Sequence, residues 1–212
     1  MLDKSIQAGE YMIPQYKRLK DLSSLDADSL HDFFYKLENK NLQVEELKDE
    51  IEKKIVEMMK RNKMRGKFME RFTKLLKMYN SGAHDIDQLF DDLVGLAKEL
   101  SEEEQRAVKE NLTEEELAIF DLLLKDKLNP DEREKVKKTA KDLLEKLKQE
   151  KLVLDWREKE IARAGVKTTI AEVLYDCLPE PTYSEKDCEF KGVEIYNFVY
   201  EHYHDAQHFV YA

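Results

Sequence analysis

Glycine and proline are scarce in this chain of 212 residues, which contains six glycines and four prolines. Because both residue types interrupt helices, their scarcity beside 39% charged residues favours a helical protein. Long apolar runs are missing as well: stretches such as 122–124 end at charged residues, far short of the roughly 20 residues that a membrane span needs. We therefore expect no membrane partner.

Cysteine is represented by Cys177 and Cys188, without a CxxC pair or a histidine at zinc-finger spacing. Residues 1–15 lack a basic start followed by an apolar stretch, so no secretory signal peptide is expected. Two cysteines without such patterns do not indicate a disulfide-rich protein of an oxidising compartment. These features predict a cytoplasmic location.

Motifs that carry catalytic chemistry are missing from the sequence. No glycine begins the GxxxxGK[ST] loop of P-loop motors, and Gly-rich dinucleotide loops, HExxH zinc sites and GxSxG turns are absent too. The segment 130–134 (PDERE) begins like a metal-dependent nuclease motif, but Asp131 and Glu132 suit the positive end of a helix dipole. We predict that the chain alone is not an enzyme and holds no catalytic residue, cofactor or metal.

Apolar residues recur every three or four positions along most of the chain, as they do in amphipathic helices. No stretch alternates cleanly at period two. We therefore predict an all-α fold, an array of about eight helices that begins with one long helix from about Asp28 to Arg61. One face of that helix is predicted to carry Val44, Leu47, Ile51, Ile55 and Met58.

The helical pattern divides the chain into three predicted parts. Residues 1–61 form an N-terminal segment with the long helix, residues 62–182 form a helical bundle, and residues 183–212 form a C-terminal helix with a tail rich in Tyr and His. The first boundary falls near Asn62–Gly66.

Two helix starts are predicted from capping boxes, Ser101 with Glu104 and Thr113 with Glu116. In each box the hydroxyl accepts a hydrogen bond from a free backbone N–H, and the Glu side chain reaches back to the cap. The last helix is predicted to place five apolar side chains on one face: Val193, Tyr196, Val199, Tyr200 and Tyr203.

One basic block stands out in an acidic chain of formal net charge -10. Residues 53–77 contain ten Lys and Arg but only two acidic residues. Such a block could contact DNA phosphates without reading bases, or it could pair with the acidic segments 85–92 and 101–104 of the same chain, or form a solvated face. The candidate DNA contacts are Lys60, Arg61, Lys63, Arg65, Lys67, Arg71 and Lys74.

Aromatic residues suggest a second kind of contact. Trp156, the single tryptophan, is predicted to be a core anchor or a contact to a partner, and Phe209 and Tyr211 are candidates for burial against another subunit. His204 and His208 have the i, i+4 spacing of a metal pair on a helix, but a surface tail without metal is the interpretation that we favour.

Several helical stretches follow one another in an order that is more specific than any of them alone. They are KMRGKFMERFTKLLKMYNSG (63–82), LFDDLVGLAKEL (89–100), LTEEELAIFDLLL (112–124), KTAKDLLEKL (138–147), VLDWREKEIARAGV (153–166) and LP (178–179). From about Lys63 to Pro179 the chain therefore resembles the C-terminal helical region of the R subunit of type I restriction-modification enzymes.

This resemblance implies a noncatalytic fragment of a site-specific deoxyribonuclease whose complete form uses ATP and Mg to translocate DNA. In that family the nuclease and motor domains precede the helical region, which docks the R subunit onto the methyltransferase made of M and S subunits. The implied partners are these two subunits and, through the complex, DNA. Two alternatives stay open: a free-standing helical adaptor or scaffold, and a nonspecific DNA-binding module.

Overall fold

The computed structural model describes residues 40–204, which form helices and the turns between them. Within this range there are eight α-helices, so the predicted all-α array of about eight helices is confirmed. They are α1 (Lys40–Arg61), α2 (Gly66–Asn80), α3 (Ile86–Glu104), α4 (Arg106–Lys109), α5 (Glu114–Leu123), α6 (Pro130–Glu150), α7 (Glu160–Cys177) and α8 (Glu185–His202).

The long first helix has the predicted apolar stripe. Within α1, which spans 22 residues, every residue of the predicted stripe is buried. The helix ends at Arg61, as predicted, and residues 28–39 of the predicted helix lie outside the described range. A short 3-10 turn, Lys63–Arg65, then leads into α2.

Buried apolar side chains form two separate cores. The first is built by α1, α2 and α3, from residues such as Ile51, Phe72 and Leu93. The second is built by α5 to α8, from residues such as Phe120 and Leu144. Both sides of the predicted boundary near residue 62 contribute to the first core, while the division into three domains stays a prediction.

Capping residues explain where four of the eight described helices begin. Thr113 and Glu116 form the predicted capping box at the start of α5. The predicted box at Ser101 is wrong, because Ser101 lies inside α3, where the buried Leu100 and Glu103 hold the helix to its end at Glu104. Further capping boxes begin other helices: Asp85 with Gln88, Asn129 with Glu132, and Ser184 with Asp187.

The last helix buries part of the predicted face: Val199 and Tyr203 are buried, and Tyr196 packs partly buried against the second core. Val193 is 60% exposed and Tyr200 is 41% exposed, so the predicted stripe does not face the core as a unit. α8 packs against both α7 and α5, and these contacts bury a row of side chains that overlaps the predicted face at Val199. The buried row is Cys188, Ile195, Phe198, Val199 and His202.

None of the helices within residues 40–204 is long and apolar enough to span a lipid bilayer.

Candidate functional site

A basic row runs along the solvent side of α2. Lys67, Arg71, Lys74 and Lys77 follow one another at spacings of three and four residues, so they share one helix face about 15 Å long. All four side chains are exposed. Lysine and arginine are common contacts to nucleic-acid phosphates, which makes this face the candidate for such a contact.

Some basic side chains of the block are neutralised within the chain. Arg71 pairs with Glu99, Lys63 pairs with Glu201, and the Lys67 ammonium lies 3.9 Å from the Glu103 carboxylate. Arg61 pairs with Glu57, one helical turn earlier. Lys60, Lys74 and Lys77 have no ion pair among residues 40–204. The block is therefore partly an internal ion-pair surface and partly a free basic face.

Arg65 does not lie on the basic face, although it was predicted as a DNA contact. Its side chain is 2% exposed, and its guanidinium pairs with Glu103 and Glu114. The cause is local: Asn62 caps the 3-10 turn by accepting a hydrogen bond from the Met64 N–H, and this turn directs Arg65 inward. A residue in this position cannot reach a phosphate while the fold is intact.

Trp156 is a core anchor. Its side chain is fully buried, and its indole N–H donates a hydrogen bond to the Tyr203 carbonyl oxygen at 3.1 Å. The rings of Tyr196 and Tyr200 meet it edge to face, with centroids 6.4 Å and 5.8 Å away. The side chain offers no surface to a partner, which corrects its prediction as an interface residue. Phe209 and Tyr211 lie outside the described residues.

Tyr203 joins two of the stretches that carry the family resemblance. Its hydroxyl donates a hydrogen bond to Glu115 of the LTEEEL stretch, and its carbonyl oxygen accepts from Trp156 and from Arg157 at 2.8 Å. Burial raises the pKa of the Tyr203 hydroxyl, and the neighbouring Glu115 carboxylate raises it further. Lys148 of α6 also pairs with Glu115. These contacts thus hold α5, α6 and the end of α8 together at the second core.

His202 is used in packing as well. It is 2% exposed, and its ring nitrogens lie 2.8 Å from the Phe198 carbonyl oxygen and 3.1 Å from the Lys60 carbonyl oxygen. Among residues 40–204, no group of three or more His, Cys, Asp or Glu side chains is placed to hold a metal ion. His204 is exposed at the end of the described range, and His208 lies beyond it.

Sequence reasoning missed a buried polar network between the two cores. It contains Asn62, Arg65, Glu103, Arg106 and Asp121, on the turn after α1, at the end of α3, in α4 and in α5. Burial raises the pKa of the Asp121 carboxyl, against the attraction of Arg106. One signal was present in the sequence: Asp121 is the single charged residue within the apolar run 117–124.

The chain is similar to a known protein family and to a curated relative. A family model described as "Type I restriction enzyme HindI endonuclease subunit-like, C-terminal" matches residues 1–189. The "Putative type I restriction enzyme MjaIXP endonuclease subunit" of Methanocaldococcus jannaschii is 28% identical over 182 residues, an alignment that covers 82% of this chain and 17% of that protein. No solved structure matches. The chain thus spans about a sixth of this relative's length, and it belongs to the family of C-terminal regions of type I restriction enzyme endonuclease subunits.

Proposed function

We propose that this chain is a noncatalytic assembly region that docks the ATP-dependent translocase and endonuclease subunit of a type I restriction enzyme onto its methyltransferase, formed by M and S subunits. The observation that carries the proposal is the family match over residues 1–189. The family consists of C-terminal regions of such endonuclease subunits. We assign the holding role to this region because the chain lacks the motifs of the motor and nuclease domains.

The use of the motif residues supports a holding role. Thr113 caps α5, Glu115 accepts a hydrogen bond from Tyr203, and Trp156 fills the second core. Side chains committed to caps and cores are not available for bond-breaking chemistry. We expect the isolated chain to show neither ATPase nor nuclease activity, whereas the complete subunit requires ATP and Mg. We expect the complex to work in the cytoplasm.

Exposed aliphatic side chains near Trp156 support a docking surface. Val153 is 50% exposed, Leu154 is 69% exposed and Ile161 is 88% exposed. Exposed large apolar side chains that group into a patch are typical of surfaces that a partner covers. We propose these three residues as contacts to the methyltransferase.

A second role, contact with DNA, is favoured by the lysines of α2 that have no ion pair within residues 40–204. Lys74 and Lys77 extend the basic row beyond the members that acidic neighbours neutralise. Phosphate contacts from such a row bind DNA without reading its sequence. In the assembled enzyme, this basic face would contact the DNA while the motor translocates it. A free-standing adaptor is the remaining alternative.

Competition with the complete subunit tests the docking proposal. An excess of this chain, added while a type I enzyme of its own system assembles, should lower ATP-dependent DNA cleavage and leave methylation by the M and S subunits unchanged. The double variant Leu154→Asp and Ile161→Asp should compete less well. Val108→Asp changes an equally exposed aliphatic residue elsewhere and is the control. Undiminished cleavage at a large excess of the chain would count against docking.

A further inference from the structure

A band of polar side chains joins the two apolar cores. The first core ends at Leu100 and the second begins at Ala107, and the segment 60–65 lies against both. This segment connects α1 to α2, so it belongs to the first core by its place in the chain. Its contacts to the second core are hydrogen bonds and ion pairs rather than apolar packing.

Five side chains of this band form a closed circuit. The Asn62 amide donates to the Asp121 carboxylate at 2.6 Å, and Arg106 pairs with the same carboxylate. Arg106 also donates to Glu103 at 2.9 Å and 3.1 Å, and Glu103 accepts from Arg65 at 3.3 Å. Arg65 and Asn62 belong to one turn, which closes the circuit.

A second set of polar contacts joins the same segment to the end of α8. The Lys60 carbonyl oxygen lies 3.1 Å from a ring nitrogen of His202, and Lys63 pairs with Glu201. Successive residues of the segment therefore reach two helices of the second core, α5 and α8. No other segment of the described residues bridges the cores through so many polar groups.

The polar band costs less to open than either core. Separating apolar surfaces exposes them to water at about 25 cal/mol for each square ångström, whereas separated ions regain hydration that burial had removed. Two donors of the circuit are unsatisfied, because the Arg65 Nη2 and Arg106 Nε atoms are buried without a hydrogen-bond partner among the described residues. Water that enters on opening would satisfy both atoms. Burial also raises the pKa of Asp121, a sign that its charge is held at a cost.

We infer that the polar band around residues 60–65 is a joint, at which the unit formed by α1 to α3 separates from the unit formed by α5 to α8 while both cores stay folded. This conformational device is independent of the proposed function. It gives the chain two states that differ in the angle between the two units and not in their internal packing. A partner that binds both units would set that angle.

Asn62→Asp tests the joint, because it places a second carboxylate against Asp121 and removes the amide donor. In the full chain, amides of residues 62–66 should exchange hydrogen at least about tenfold faster, and the radius of gyration from X-ray scattering should rise. Peptides of α1, α6 and α7 should keep their protection, and Trp156 fluorescence should stay unchanged. Asn197→Asp makes the same change at an exposed position of α8 and should alter none of these readouts.

In a variant that folds, two results would overturn the joint: loss of protection in both cores together with residues 62–66, or exchange and radius identical to the wild type. Native-state hydrogen exchange of the unmodified chain in increasing denaturant gives an independent answer if the variant does not fold. Residues 62–66 should exchange at a lower denaturant concentration than either core. Exchange of all three regions at one denaturant concentration would also refute the proposal.

Discussion

The indole nitrogen of Trp156 lies 3.1 Å from the carbonyl oxygen of Tyr203, and this hydrogen bond joins residues 47 positions apart. Tyr203 is the C-cap of α8, so the bond satisfies a carbonyl at a helix end, where intrahelical partners run out. Arg157 donates to the same oxygen at 2.8 Å. The pair of donors fixes the end of α8 against the turn before α7.

Trp156→Phe should lower the free energy of unfolding by about 1–3 kcal/mol. The variant keeps an aromatic ring but loses the indole N–H and leaves a small cavity in a fully buried site. Urea denaturation followed by circular dichroism measures the change, since the variant removes the single tryptophan. Tyr200→Phe, at a half-exposed ring beside Trp156, is the control and should shift the midpoint little. Equal stability of Trp156→Phe and the wild type would show that the hydrogen bond is unimportant.

Thr113→Ala should destabilise the protein by about 1 kcal/mol, because it removes the N-cap acceptor of α5. Ser101→Ala is the matched control: Ser101 lies inside α3 and caps no helix, so its replacement should change stability by less than about 0.5 kcal/mol. Thermal denaturation of the two variants side by side gives the comparison. If Ser101→Ala proved less stable than Thr113→Ala, that result would support the predicted helix start at Ser101.

Asp187 should make the protein sensitive to acid. Hydrogen bonds from Lys125 and from the Ser184 side chain and backbone hold the pKa of Asp187 well below its usual range. A carboxyl with a lowered folded-state pKa adds stability above its unfolded pKa of about 4, and this stability is lost as the pH falls through the folded pKa. Asp187→Asn should therefore lower Tm most at neutral pH and progressively less below pH 4.

Asp142→Asn is the control for this titration, since Asp142 is an exposed carboxylate without an ion pair among residues 40–204. Its replacement should leave Tm unchanged across the same pH range. A constant difference in Tm between Asp187→Asn and the wild type at every pH would contradict the electrostatic explanation.

Charge reversal at Lys74 and Lys77 should weaken DNA binding and its salt dependence. If each lysine contacts one phosphate, the slope of log K against log salt concentration should fall by about two in magnitude. Fluorescence anisotropy with a labelled duplex at several salt concentrations measures the slope. The same two changes at Lys135 and Lys138, which are exposed on α6, keep the net charge equal and should have a smaller effect. Equal losses from both pairs would exclude a specific basic face.

Helix-level features were predictable from the sequence because one local rule decides each of them. The stripe of α1 follows from a period near 3.6, and the start of α5 follows from Thr113 and Glu116 alone. The end of α3 was misjudged because Ser101 satisfies the same capping pattern. Burial of Leu100 and Glu103 decides in favour of a continuous helix there, and burial depends on tertiary packing.

The placement of the predicted site residues depended on tertiary structure more than the helix-level features did. Arg65 belongs to a basic run in the sequence, but the turn after Asn62 rotates it toward Glu103, a residue 38 positions away. The face of α8 could be read only in part from its own pattern: Val199 and Tyr203 are buried as predicted, whereas packing against α5 and α7 leaves Val193 exposed. The role of Trp156 as a core anchor was among the interpretations of its sequence, whereas its partner, a backbone carbonyl, has no sequence signature.

Direct binding to the methyltransferase tests the central claim. In sedimentation velocity, the purified chain mixed with the complex of M and S subunits should form a boundary that moves faster than either component. The expected boundary contains both proteins and disappears with the Leu154→Asp and Ile161→Asp variant. Separate sedimentation of the chain and the methyltransferase, at concentrations where the complete endonuclease subunit binds, would contradict the assembly role.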